Sequence, residues 1–233
     1  MKKQLLEQLK SPSNAYRGKP FWAWNARLEP DELRRQIRLM KQMGLGGFFM
    51  HSRVGLDTAY LSDDWFECVN ACIDEAKTLG MDAWLYDEDR WPSGAAGGLA
   101  TKNPKHRMRH LRVEVLNATD GLADRAKPLA VFAAHINGSR ADNVRRASIK
   151  NATLSAGESL ILFTVETDEL NDWYNGYTYL DTLSADAVNE FIQLTHDAYL
   201  KRCGEHFGKT VPGIFTDEPN HGNMLPAKNL SLP

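Results

Sequence analysis

The sequence lacks both an excess of positive charge and long apolar runs. Asp and Glu number 30 against 28 Lys and Arg, which gives a formal net charge of −2. Nucleic-acid-binding domains need basic patches that displace counterions from phosphates. A helix that crosses a bilayer needs roughly 20 consecutive apolar residues, and no run in this sequence approaches that length. We therefore expect neither a nucleic-acid partner nor a membrane partner.

The sequence also lacks a secretory signal and a disulfide framework. Glu7 and Gln8 interrupt the apolar residues of the first segment before a signal-peptide core can form, so we expect a short amphipathic helix and a cytoplasmic protein. The three cysteines, Cys68, Cys72 and Cys203, are an odd number in apolar surroundings. This pattern favours buried free thiols over a disulfide or a metal site.

Short apolar runs alternate with helical patterns over residues 20–98, which is typical of successive βα units in a parallel sheet. Strands are predicted at 21–24, 48–51 and 82–86. A further helical pattern after Ser184 precedes a fourth predicted parallel strand at 211–216. The helix after the first strand starts at Pro30 and is expected to bury Leu33, Ile37, Met40 and Met43. The next helix runs from its N-cap Ser62 to Gly80 and is expected to bury Trp65, Val69, Cys72, Ile73, Ala76 and Leu79.

Between residues 110 and 166 apolar and polar residues alternate with period two, which predicts a small antiparallel β insertion. We therefore expect barrel units one to three in residues 1–109, a β-rich insertion in 110–170, and barrel unit four with a tail in 171–233.

Four βα-type strands fit either a doubly wound sheet or a barrel. In a doubly wound sheet we would expect a glycine-rich phosphate turn after the first strand, and residues 25–29 cannot supply one. In a barrel, functional residues collect at the carboxyl ends of several strands. We predict an α/β fold, a partial TIM-type (βα)8 barrel made of its first four βα units. The strand-end residues are Trp24 and Asn25, then His51 and Arg53, then Asp87, Glu88 and Asp89, and finally Asp217 and Glu218.

The types of these residues suit glycoside hydrolysis. That reaction needs a protonated carboxyl to donate to the leaving oxygen and an ionised carboxylate to attack or to activate water, and apolar sugar faces stack on aromatic rings. Candidate platforms are Trp22, Trp24, Tyr86 and Trp91. Because Trp22 and Trp24 are two apart in a strand, they face the same way, either lining the barrel mouth or filling the core.

Each cluster also has a purely structural interpretation. His51 is explained equally well as a core histidine, residues 87–89 as a solvated loop, and residues 217–218 as a turn. Polar clusters at four successive strand ends together favour a site.

Four segments resemble a known family: residues 20–25, 46–52, 84–94 and 213–219. They are similar to the N-terminal barrel segments of glycosyl hydrolases related to α-L-rhamnosidase, glycoside hydrolase family 106 and its relatives. The resemblance implies a large bacterial enzyme that acts on plant or microbial polysaccharide with an inverting mechanism. It also implies a calcium ion near the sugar, with ligands that cannot be assigned residue by residue. Glu218 matches a position where barrel glycosidases often carry the acid.

The first hypothesis is a glycosidase, or the N-terminal part of one, with Glu218 as general acid and Asp217 as orienter or sugar-hydroxyl partner. Glu88 and Asp87 are then substrate or metal ligands. Glu88 is also a candidate catalytic residue. The residues expected to bind substrate are Trp22, Trp24, Asn25, His51, Arg53, Asp87, Asp89 and Trp91.

Two alternatives from other classes stay open. One is a non-catalytic carbohydrate-binding half-barrel. The other is a metal-dependent barrel hydrolase or isomerase that uses Asp87, Glu88, His51 and Asp217, although no His-x-His or Cys-x-x-Cys pair supports zinc. The sequence itself requires no cofactor.

Family members run several hundred residues beyond this point, and a (βα)8 barrel typically needs about 250 residues without insertions. We therefore expect either a fragment or a half-barrel that completes itself by association. A monomer of 233 residues is expected to be inactive, because the second carboxyl would come from a later strand.

Overall fold

The computed structural model describes residues 2–118 and 128–221 as two compact units, one α/β and one all-β. The α/β unit comprises residues 2–106 and 170–220, and the β unit comprises 107–118, 128–169 and 221. Within these described ranges no helix has the length and apolarity needed to span a membrane.

The α/β unit contains parallel strands and helices. Its strands are β1 (Phe21–Trp24), β2 (Gly47–Ser52), β3 (Asp82–Tyr86) and, after the β unit, β8 (Ile214–Phe215). Its helices are α1 (Lys2–Lys10), α2 (Pro30–Gln42), α3 (Asp63–Leu79), α4 (Ala185–Ile192) and α5 (Ala198–Cys203), with a π-helical turn at Gln193–Asp197 between the last two.

The strands of the α/β unit form one parallel sheet in the order β1-β2-β3-β8. The predicted first and third strands are confirmed, and the second is longer by one residue at each end. The predicted fourth strand is shorter than expected, because only Ile214 and Phe215 join the sheet. Pro212 has no N–H to donate to a ladder, and Val211 makes only an isolated bridge with Phe207.

One face of the parallel sheet packs against helices. The indole nitrogen of Trp22 donates to Gln36 of α2 over 3.0 Å, and the ring of Trp24 contacts Trp65 of α3 with centroids 5.0 Å apart. The core on this face also contains Leu33, Ile37, Phe48, Met50, Val69, Cys72, Ile73, Ala83, Leu85, Tyr199 and Cys203. The expectation of free buried thiols is confirmed, since Cys68, Cys72 and Cys203 are all free and buried.

The predicted ends of α3 are confirmed. Ser62 accepts a hydrogen bond from the backbone nitrogen of Trp65, and Gly80 adopts the left-handed conformation that ends the helix. The prediction that α2 buries Met43 is wrong, because this residue caps the helix and is 76% exposed.

The opposite face of the sheet is aromatic and concave. Phe21 of β1 contacts Phe49 of β2 and Phe215 of β8, in each case with ring centroids 5.0 Å apart. In a flat sheet β1 and β8, three strand spacings apart, would be separated by about 14 Å. The contact between their side chains means that the sheet curves strongly toward this face.

The β unit is an antiparallel sheet with strand order β4-β7-β5-β6. Its strands are β4 (Arg109–Leu116), β5 (Ala130–Asn137), β6 (Arg140–Arg146) and β7 (Glu158–Thr167). Val131, Ala133, Leu160 and Leu162 form its buried core. The sequence pattern predicted the antiparallel character but not β6, in which five of seven residues are polar.

Candidate active site

Polar side chains of three strand ends meet on the concave face of the α/β unit. Nε2 of His51, in β2, lies 3.0 Å from Oε1 of Glu88, which follows β3. The His51 ring stacks on Tyr86 with centroids 3.7 Å apart. Burial raises the pKa of Glu88 above its ordinary value, although the hydrogen bond with His51 opposes this shift.

Asp87 lies behind this face and is fully buried. Its carboxylate accepts hydrogen bonds from the hydroxyls of Ser93 and Thr216, each over 2.6 Å. Nε2 of His196 is 3.4 Å from the same carboxylate. Burial raises the pKa of Asp87, and the two hydroxyls and His196 counteract part of that shift.

Ser93 joins the loop after β3 to the segment after β8. Its hydroxyl accepts from the backbone N–H of Asp217 over 2.9 Å, while its own N–H donates to the carbonyl of Asp217 over 2.9 Å. The same hydroxyl lies 3.4 Å from Glu88. The hydroxyl of Tyr179 donates to the Ser93 carbonyl over 2.7 Å. These bonds fix the position of the strand-end segment that carries Asp217.

Asp217 and Glu218 are the accessible carboxyls of the site. Oδ2 of Asp217 accepts from the hydroxyl of Tyr86 over 2.6 Å, and the residue is half-buried. Burial, and then the bond to Asp217, raise the pKa of Tyr86 far above its ordinary value, so it acts as a donor at neutral pH. Glu218 is exposed and has a φ of 44°, in the left-handed region. Non-glycine residues held there cluster at functional sites.

Asp89 belongs to a separate hydrogen-bonded group. It accepts from the hydroxyl of Ser52 and from Nδ2 of Asn175, the latter over 3.0 Å. Nη1 of Arg90 lies 3.3 Å from the carboxylate. Because successive side chains of a strand point to opposite faces, Ser52 and Asp89 lie away from His51 and the concave face.

The comparisons with known proteins give one weak structural likeness. No protein-family model and no curated protein sequence matches this chain. Among solved structures, the rhamnosidase from Novosphingobium sp. PP1Y is similar, with 19% sequence identity and a TM-score of 0.39. The likeness covers 57% of this chain and 15% of that chain, so this chain spans a small part of that neighbour's length. The chemistry of the site therefore has to be inferred from its own side chains.

The described residues do not fit the calcium ion that the family resemblance implies. They contain no group of three or more His, Cys, Asp or Glu side chains placed to hold a metal. The carboxylates of Asp87 and Asp89 instead face hydroxyl, amide and guanidinium donors. These contacts already supply the hydrogen-bond partners of both carboxylates, and they leave neither as an open oxygen ligand.

The structure places several predicted site residues away from the concave face or buries them where a substrate cannot reach them. Trp22 and Trp24 do face the same way, but toward α2 and α3, where Trp24 is only 2% exposed. They fill the core. Asp87 and Glu88 are buried with their oxygens already bonded, so the expectation that they contact substrate does not match their position.

The remaining predicted residues lie at strand ends and are accessible. Asn25 and Arg53 are exposed, and Trp91 is partly buried. The positive charge of Arg53, which follows β2, opposes the rise in the pKa of Tyr86. The carbonyl of Trp91 accepts a hydrogen bond from the indole of Trp173 over 2.6 Å.

Three residues of the site, Ser93, Thr216 and His196, were not predicted from the sequence. Ser93 lies within the segment that carries the family resemblance, so a hydroxyl close to the acidic cluster was the available signal. No sequence signal pointed to His196. It lies in the π-helical turn at Gln193–Asp197, and its ring reaches Asp87 from there. Such turns are frequent at functional sites.

Proposed function

We propose that the concave face of the α/β unit is part of the active site of a glycoside hydrolase that cleaves O-glycosidic bonds in plant or microbial polysaccharide, as α-L-rhamnosidases do. One observation carries the proposal. Asp217 is held at Oδ2 by Tyr86, while Oδ1 accepts no hydrogen bond from the described residues. Half-buried and fixed, it presents this oxygen beside the exposed Glu218.

The two carboxyls have separate roles in this proposal. Glu218 is the general acid that protonates the leaving oxygen, a step that typically contributes about 10²–10⁴-fold. Asp217 is the ionised carboxylate that accepts a hydroxyl of the sugar and orients it. Glycosidic cleavage also requires a second carboxyl opposite Glu218.

The buried groups position the accessible ones. His51 and Glu88 form a bonded pair beneath Tyr86, and Ser93 ties Asp217 to the loop after β3. A site whose hydrogen bonds are already made needs little reorganisation when charge develops in the transition state. Glu88 acts here through His51 and Tyr86 rather than by touching substrate.

The curvature of the sheet supports a partial (βα)8 barrel. Its helices pack on one face, and the rings of Phe21 and Phe215 meet on the other. Parallel sheets are normally covered on both faces, so further strands or another copy would close the aromatic face.

The test compares aryl glycosides with good and poor leaving groups, α-L-rhamnosides first. Glu218→Gln should slow the substrates with poor leaving groups by about 10²-fold or more and spare those with good ones, because only the former need a proton. Glu205→Gln, at an exposed carboxyl of the same unit, should change the hydrolysis rate of neither group of substrates. Equal turnover by Glu218→Gln and wild type on poor leaving groups would refute the acid assignment. Sugar binding without any hydrolysis would favour the carbohydrate-binding alternative.

A further inference from the structure

A cavity of about 410 Å³ opens in the α/β unit away from the concave face. Three segments line it, residues 56–60, 89–102 and 175–177. Its volume falls within the range of small-molecule sites, which is about 300–1,000 Å³. The Asp89 carboxylate lines the cavity, and its bond to Ser52 places it on the side of the sheet opposite His51. The cavity is therefore distinct from the site that contains Asp217.

The lining carries one positive charge that no group in the described structure neutralises. Its charged side chains are Asp89, Arg90 and Lys102. The charge of Asp89 is balanced by Arg90 at 3.3 Å and by the donors of Ser52 and Asn175. Lys102 is exposed, and its ammonium group has no hydrogen bond or ion pair with any described residue.

The same lining has aromatic and amide groups suited to a ring-shaped ligand. Tyr60 and Tyr177 supply aromatic surface, on which the apolar face of a sugar can pack. Asn175 is held by Asp89, Gly97 and Arg90. A Cβ at Gly97 would come within 2.6 Å of the Asp89 carboxylate, so glycine is needed for the close approach of these two lining residues.

We propose that this cavity is a second ligand site, which takes a small sugar acid such as a hexuronate with its carboxylate on Lys102. The anionic character of the ligand follows from the lining, and the choice of a sugar rests on the proposed function. The site would then bind acidic sugars at a position separate from the one where the glycosidic bond is cleaved.

Calorimetric titration of the protein with D-galacturonate, D-galactose and inorganic phosphate tests the proposal. Galacturonate should bind saturably and at least about tenfold more tightly than galactose, since a charge-assisted bond contributes about 1.5–3 kcal/mol. Lys102→Ala should remove that difference. Lys105→Ala, at an exposed lysine outside the cavity, should retain it.

Three results would overturn the proposal: no binding of galacturonate, equal binding of galactose, or an unchanged affinity in Lys102→Ala. Phosphate binding as tight as that of galacturonate and equally dependent on Lys102 would refute the sugar and leave a simple anion site. The titration needs no turnover, so its failure is distinguishable from a failure of the proposed hydrolase, which the Glu218 variant tests separately.

Discussion

The hydroxyl of Tyr86 donates a hydrogen bond to Oδ2 of Asp217 over 2.6 Å, and so joins the ends of β3 and β8 on the concave face. The Tyr86 ring is itself fixed by stacking on His51. A buried phenol that rests on a bonded imidazole therefore sets the orientation of an accessible carboxylate. The consequences of this arrangement can be measured residue by residue.

Tyr86→Phe should lower kcat for aryl glycoside hydrolysis by about 10–100-fold, because a hydrogen bond to a charged group contributes about 1.5–3 kcal/mol. The ring and its stacking on His51 are retained, so the fold should be unaffected. Steady-state kinetics with circular dichroism checks both points. Tyr16→Phe, at a residue that is 79% exposed, is the matched control. If both variants had wild-type kcat, the hydrogen bond between Tyr86 and Asp217 would have no role in turnover.

Ser93→Ala should lower the free energy of unfolding by about 1–3 kcal/mol, since it leaves buried groups of Asp87 and Asp217 without their partner. Urea denaturation measures this change. Ser11→Ala, at an exposed serine, should fall within about 0.5 kcal/mol of wild type. A Ser93→Ala protein as stable as that control would show that the hydroxyl does not hold the two segments together.

The burial of Glu88 predicts a pH dependence of stability. Its folded pKa is raised above the ordinary value of 4.5, so the folded state keeps the proton over a range where the unfolded state has lost it. The stability that Glu88 contributes is fully present below that ordinary value and is lost as pH rises through the folded pKa. The loss is about 1.4 kcal/mol for each pH unit that separates the folded pKa from the unfolded one. The unfolding free energy of wild type minus that of Glu88→Gln should therefore fall above pH 4.5.

The comparison needs the same pair of measurements for an exposed carboxyl. Glu67→Gln on α3 should show no such trend across the same pH range. A difference between wild type and Glu88→Gln that stayed flat or rose with pH would contradict the inferred burial effect.

Much of the α/β unit was predictable because its apolar periodicities are strong. Residues 21–24 and 82–86 are short apolar runs between turn signals, and the helix from Ser62 to Gly80 carries its own caps. β6 was not predictable, since it has no apolar face and is held by its ladder with β5. The extent of β8 depends on which backbone groups meet β3, which no local pattern encodes.

The site was predictable only as a set of strand ends. A parallel sheet brings its carboxyl ends to one edge, so the positions of Glu88 and Asp217 followed from the pattern. Period-two alternation shows that Trp22 and Trp24 share a face but not which face the helices cover. The contact of Ser93 with Asp217 and that of His196 with Asp87 each join residues more than 100 positions apart, and only the folded chain reveals them.

The exposed aromatic face predicts self-association. Phe21 is 56% exposed on the concave side of the sheet, where a parallel sheet is normally covered. Light scattering after size exclusion should give a mass above the 26.2 kDa of one chain, with hydrolysis confined to the larger species. Phe21→Ser should shift the distribution toward monomer, and Tyr16→Ser, at another exposed aromatic, should not. A monomer that hydrolyses glycosides would contradict this expectation.

Asp217 is proposed to be a carboxylate that glycosidic cleavage requires. The release of 4-nitrophenol from aryl glycosides by the self-associated protein measures this requirement. Wild type should hydrolyse at least one member of a panel that begins with the α-L-rhamnoside. Asp217→Asn keeps the shape of the side chain and removes its charge, and should reduce kcat by about 10²-fold or more. The control variant Glu205→Gln should keep the wild-type kcat. No hydrolysis of any glycoside by wild type, or a kcat for Asp217→Asn equal to that of wild type, would contradict the account.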